Sequence, residues 1–152
     1  MRLSIMEQQR IKRHPSGFTR RIYIPLIIDS RRPHYYLAML QEPLVIEDIP
    51  GPKDGQRVLR LSGPLVITTL FQFQAKVRAS SSPTLIIDFT NVPYVDSAGI
   101  GALVGAYVTH QKEGRSLYLV GVSDRIHNAL QVTRVDNFFR FFATMAEAEN
   151  AV

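Results

Sequence analysis

Two spacings of apolar residues alternate along this chain. Gln56–Ser62 (QRVLRLS) alternates polar and apolar, the period of a half-buried strand. Thr84–Phe89 (TLIIDF) is a continuous apolar run with an acid near its end, as in a strand covered on both faces. Pro43–Ile49, Ser116–Val120 and the aromatic Phe138–Phe142 predict three more strands. Helical spacing lies between them. Leu65–Arg78 predicts a helix with Leu70, Phe73, Gln74 and Val77 on one face, Phe71 beside them, and Thr68 or Thr69 as cap. Ala98–Lys112 predicts a second, with Ile100, Leu103, Val104, Tyr107, Val108 and Gln111 as one stripe. Gly101, Ala102, Gly105, Ala106 and Thr109 lie opposite it. Lys112 and Gly114 suit that helix's C-terminal end. Asp124–Thr133, capped by Ser123, and Met145–Ala151, capped by Thr144, predict two more.

The order is β-β-α-β-α-β-α-β-α. Six turn residues, Pro50–Gly55, separate the first two strands and predict an antiparallel pair. Alternation after Gly63 predicts right-handed crossovers and a mixed, mostly parallel sheet of about five strands with four helices, an α/β fold.

Charge divides the chain. Of its 152 residues, the first 40 hold eight of the 18 Lys and Arg but only two acids, Glu7 and Asp29. The basic pI therefore belongs to the N-terminal segment, and it gives no ground for direct nucleic-acid binding by the globular part. Residues 1–42 are read as a basic N-terminal extension, and residues 43–152 as the domain. The extension is expected to be poorly ordered. A start site placed upstream of a natural start at Met39 is a second reading, and a basic arm for nucleic acid or anionic lipid a third. Cysteine is absent, which excludes disulfides and thiolate chemistry and agrees with a cytoplasmic protein. No apolar run approaches the roughly 18 residues of a membrane span, and no secretory signal is expected.

Candidate chemistry centres on Asp96-Ser97-Ala98-Gly99, where the third predicted strand passes to the long helix. Ser97 has three readings. It can cap the helix, its hydroxyl accepting from a first-turn N–H. It can be a hydrolase nucleophile, although Val95 stands where the nucleophile elbow carries its first glycine, and His110 lies over three turns down the same helix. It can accept a phosphate, because a helix N-terminus suits an anion. Gly101, Ala102, Gly105 and Ala106 give the helix low relief beside it, which serves either close packing on the sheet or close approach by a partner. Asp88 and Asp96 lack a third ligand, and Asp88 is read as a loop or cap acid. No metal site, P-loop, dinucleotide fingerprint or cofactor is expected.

These residues resemble the STAS domain, and within it the bacterial anti-sigma factor antagonists. The resemblance rests on Leu85–Glu113 with Asp96-Ser97-Ala98-Gly99-Ile100-Gly101 at its centre, and on the strand Gly114–Val122. Val58–Gly63 resembles the family's early strand, and Leu130–Phe142 its late segment. The resemblance implies a non-enzymatic regulator, with Ser97 as phosphoacceptor for a serine kinase that is itself an anti-sigma factor. The unmodified form would bind that kinase and free a sigma factor. It implies a docking surface of Asp96, Ser97, Ala98, Gly99, Ile100, Gly101, Ala102 and Gly105. The alternative is a constitutive STAS interaction module in a signalling scaffold or transport assembly. Two positions depart from the family pattern. Val66 stands where an acid is usual, and Thr133-Arg134 replaces a Thr-Gly pair.

Overall fold

The computed structural model describes residues 42–152, so the basic segment, up to residue 41, lies outside the described residues. Five strands form one sheet in the order β1(Val45–Pro50)-β2(Gln56–Ser62)-β3(Thr84–Asn91)-β4(Ser116–Val120)-β5(Arg140–Phe142). β1 and β2 are antiparallel, and β2 to β5 are parallel. Among the described residues four helices follow the predicted order: α1(Leu70–Ala79), α2(Ser97–Lys112), α3(Asp124–Val132) and α4(Met145–Ala151). The mixed, mostly parallel five-stranded sheet and its antiparallel edge are those expected from the sequence.

Strand alternation divides the core in two. Leu59, Leu61, Leu85, Ile87, Leu117 and Leu119 point to one face, where α1, α2 and α3 cover them. Val58, Ile86 and Val120 point to the other, against Ala148 of α4. Ser123 and Thr144 cap α3 and α4 as predicted, accepting from the N–H groups of Ile126 and Glu147.

The structure corrects four local expectations. The helix predicted from Leu65 begins at Leu70. Leu65 instead continues the sheet past Gly63: its N–H donates to the Tyr94 carbonyl, and its own carbonyl accepts from Asp96 N–H. Thr69 does not cap α1 forwards. Its hydroxyl donates to the Pro64 carbonyl at 2.9 Å and accepts from Val66 N–H at 3.0 Å, tightening the turn before the helix. The aromatic strand starts at Arg140, because Asp136–Phe138 forms a 3-10 turn. The turn at Thr133-Arg134 keeps the left-handed backbone that glycine favours, with Arg134 at φ 57°.

The fourth correction concerns α2. Ala102, Ala106 and His110 face the core with Ile100 and Leu103, whereas Val108 is 40% exposed and Gln111 is exposed. Small residues at 102 and 106 let the helix lie close to the sheet and to α1. Gly99 marks the closest approach: a Cβ there would lie 2.2 Å from the Leu65 carbonyl oxygen and 2.8 Å from a Val95 methyl. Gly99→Ala is expected to lower unfolding stability by about 1–3 kcal/mol, read from urea denaturation.

His110 is fully buried, and its Nδ1–H donates to the Ala106 carbonyl at 2.9 Å. Among the described residues, Nε2 has no partner. Burial lowers its pKa below 6.5; the Arg115 cation adds to the shift, while the Ala106 hydrogen bond and Glu113 oppose it. The folded chain therefore holds this ring neutral while the unfolded chain protonates it near pH 6.5. Its contribution to stability is complete above that pH and is lost as pH falls towards the lowered folded value. The slope is at most about 1.4 kcal/mol per pH unit. Urea unfolding across this window is expected to show this loss, and His110→Leu to flatten the profile.

Candidate functional site

At the carboxyl end of β3 the chain runs through Val95 and turns into α2. Val95 is held by its bridge to Leu65, which delivers Asp96 to the helix start in extended backbone (φ −93°, ψ 179°). Asp96, and not Ser97, is the N-cap. Its Oδ1 accepts from Gly99 N–H at 2.7 Å, and its Oδ2 accepts from Ile67 N–H at 3.0 Å. One carboxylate thus satisfies a first-turn N–H of α2 and fixes the turn that precedes α1.

Ser97 is the first residue of α2 and is exposed. Among the described residues no group engages its hydroxyl. The described histidines stand elsewhere: His110 is buried against Ala106, and the His127 ring packs edge-on against Phe141 at 4.8 Å. No base within the described residues is placed to deprotonate Ser97. The geometry offers an outward hydroxyl at a helix N-terminus, free of any capping duty.

The structure divides the other residues assigned to the docking surface. Gly101 and Gly105 are exposed, and a Cβ at either would meet nothing within 4 Å. Close internal packing therefore explains Gly99 but not these two. Ala98 is half-buried, and Gly99, Ile100 and Ala102 are buried, so they support the surface from below. Asp88, expected as a loop or cap acid, instead lies buried within β3, accepting from Thr90 N–H at 2.9 Å and Thr90 Oγ1–H at 2.6 Å, with Arg60 Nε 3.5 Å away.

Sequence reasoning missed two residues. Ile67 is 54% exposed and Phe71 69% exposed. Ile67 is tied to Asp96 through its backbone, and Phe71 lies one helical turn further on. Phe71 stands beside the inward face of α1, out of phase with Leu70, Phe73 and Val77, and that phase is the available signal. Val66, which departs from the pattern the resemblance implies, is fully buried. The side chain exposed there is Ile67.

Residues 45–148 match the STAS domain. An anti-sigma-B factor antagonist of Staphylococcus aureus is 28% identical over 78 residues, which cover 49% of this chain and 72% of that protein. An anti-sigma factor antagonist from Mycobacterium paratuberculosis superposes with a TM-score of 0.61 at 25% identity, covering 71% of this chain and 94% of its own. The phosphorylated form of SpoIIAA, a Bacillus cell fate determinant, shares the fold with a TM-score of 0.57 at 17% identity, covering 71% of this chain and 100% of its own. The murine Solute Carrier 26 family member A9 anion transporter shares it too, with a TM-score of 0.60 at 19% identity, over 77% of this chain and 24% of the transporter. No described helix of this chain is long and apolar enough to cross a membrane. With a matched region of this extent and the expected order of strands and helices, the chain belongs to the STAS domain family.

Proposed function

We propose that this chain is an anti-sigma factor antagonist of the bacterial cytoplasm, switched by phosphorylation of Ser97. In the unmodified state it binds a serine kinase that is also an anti-sigma factor, and so releases a sigma factor. The observation that carries this reading is the separation of duties at Asp96-Ser97. Asp96 caps α2 with its carboxylate, so the exposed Ser97 hydroxyl has no structural bond to lose among the described residues. Phosphoryl transfer from ATP to Oγ would release ADP and pass the hydroxyl proton to a base of the kinase. The new group would bring about −1.5 to −2 charges to a helix end that suits an anion. A docked partner would meet that charge on a face whose glycines otherwise allow close backbone approach.

The test is incubation with the serine kinase and ATP, then mapping of the modified residue. Phosphate is expected on Ser97 and absent from Ser97→Ala. Ser97→Asp is expected to weaken kinase binding by roughly tenfold or more, while stability stays within about 0.5 kcal/mol of the parent. Phosphate on another residue only, or capture of the kinase that is indifferent to Ser97→Asp, defeats the switch. The second result would point to the constitutive interaction module.

The exposed glycines give an independent check. Gly101→Ala and Gly105→Ala meet no atom within 4 Å, so each is expected to raise stability by about 0.5–1 kcal/mol through helix propensity. Each is expected to weaken partner binding at the same time. Urea unfolding and calorimetric titration of the same samples would read the opposite signs.

A further inference from the structure

We infer that the partner docking on this face presents an apolar pair flanked by acidic side chains; this rests on the reading that the Ser97 face is the docking face. Two exposed rows run along neighbouring helices on one side of the sheet. On α2 the row is Ser97, Gly101, Gly105, Val108 and Lys112, spaced by three and four residues as one helical face requires. Leading into α1 the row is Ile67, Phe71, Ala75 and Arg78, with the same spacing. α1 and α2 pack against each other, and the Asp96 carboxylate holds Ile67 to the start of α2.

The rows are apolar near Ser97 and basic at the far end. Ile67 and Phe71 leave large apolar side chains exposed there, and on α2 Gly101 and Gly105 offer no relief. Exposed aromatic and aliphatic side chains of this kind are what anchors at an interface look like. At the far end stand Arg78 and Lys112, with Lys76 on the flank of α1. None of the three has an ion pair among the described residues. Neither helix carries a single Asp or Glu. Asp96 spends both oxygens on backbone N–H groups, and Glu113, just past α2, is paired with Arg115. Cations in a last turn do favour the helix carbonyl ends, but that does not account for two neighbouring helices devoid of acids. The complement to this surface is an apolar patch with carboxylates at its border, and a basic or neutral patch fits it less well.

The same placement bears on the switch. Fifteen residues of helix put Lys112 about 22 Å from Ser97, beyond the Debye length of about 8 Å at physiological salt. Charge added at Ser97 would leave the basic end free and would act on the apolar contact beside it, where a docked partner would have to bury it.

The test pans a phage-displayed library of helical peptides, randomised at surface positions, against the full chain. Enriched peptides are synthesised and titrated calorimetrically at two salt concentrations. Net-negative peptides with an apolar pair at i, i+4 spacing are expected, binding more weakly at the higher salt. Phe71→Ala, and the double variant Arg78→Glu with Lys112→Glu, are each expected to lower affinity by roughly tenfold or more. Ile67→Ser is the second apolar variant, and circular dichroism checks the fold of every variant. Neutral or basic peptides, acidic peptides indifferent to these substitutions, or no enrichment overturn the inference. Phosphorylation of Ser97 is assayed separately. Acidic peptides captured by a chain that no kinase modifies would defeat the switch and leave the docking chemistry standing. Phosphorylation with neutral peptides selected would defeat only the docking chemistry.

Discussion

The carboxylate of Asp96 holds the working end of this domain together. One oxygen closes the first turn of α2, and the other fixes Ile67 in the turn that leads to α1. The backbone around it is equally constrained: Leu65 bonds to Tyr94 and Asp96, and Gly99 sits against the Leu65 carbonyl. Two crossover connections, one after β2 and one after β3, are thereby locked to each other. A half-buried acid accepting two backbone N–H bonds is a strong device, since charge-assisted bonds exceed neutral ones. It also leaves the hydroxyl of the following serine without a capping role.

Beneath that junction the sheet does the positioning. The parallel strands β2 and β3 end side by side, and the Leu65–Val95 bridge prolongs their pairing beyond the irregularity near Ser62. Ser97 and Ile67 therefore emerge from a rigid frame. The face they share with Phe71, Gly101 and Gly105 combines exposed apolar anchors with flat backbone, and its charge is confined to the end distant from Ser97.

Much of this was legible in the chain. Strands declared themselves by alternation or by unbroken apolar runs, and helix starts at Ser123 and Thr144 by their caps. The Asp-Ser-Ala-Gly-Ile-Gly run located the site. What the sequence hid had physical causes. In α2 both sides are rich in small or apolar residues, so periodicity could not say which side lay inward; close packing chose Ala102 and Ala106. Asp96 and Ser97 are both competent caps, and only the backbone geometry assigned the duty to the aspartate. Leu65 and Val66 read as helical because they are apolar and correctly spaced, yet their hydrogen bonds go to the sheet and to the turn held by Thr69. Phe71 looked like core by its chemistry, and only its exposure separates it.

The left-handed Arg134 turn has a wider meaning. At this turn the chain adopts a left-handed backbone with a residue that disfavours it, at φ 57°. The conformation is therefore imposed by its surroundings: Arg134 N–H reaches the Gln131 carbonyl, and Val135 N–H reaches that of Leu130. Hydrogen bonding at the helix end here outranks the residue's own preference, so the path of the chain does not depend on a glycine. A lineage can then vary its sequence at such a corner without redrawing the architecture, and a missing glycine is no sign of a missing turn.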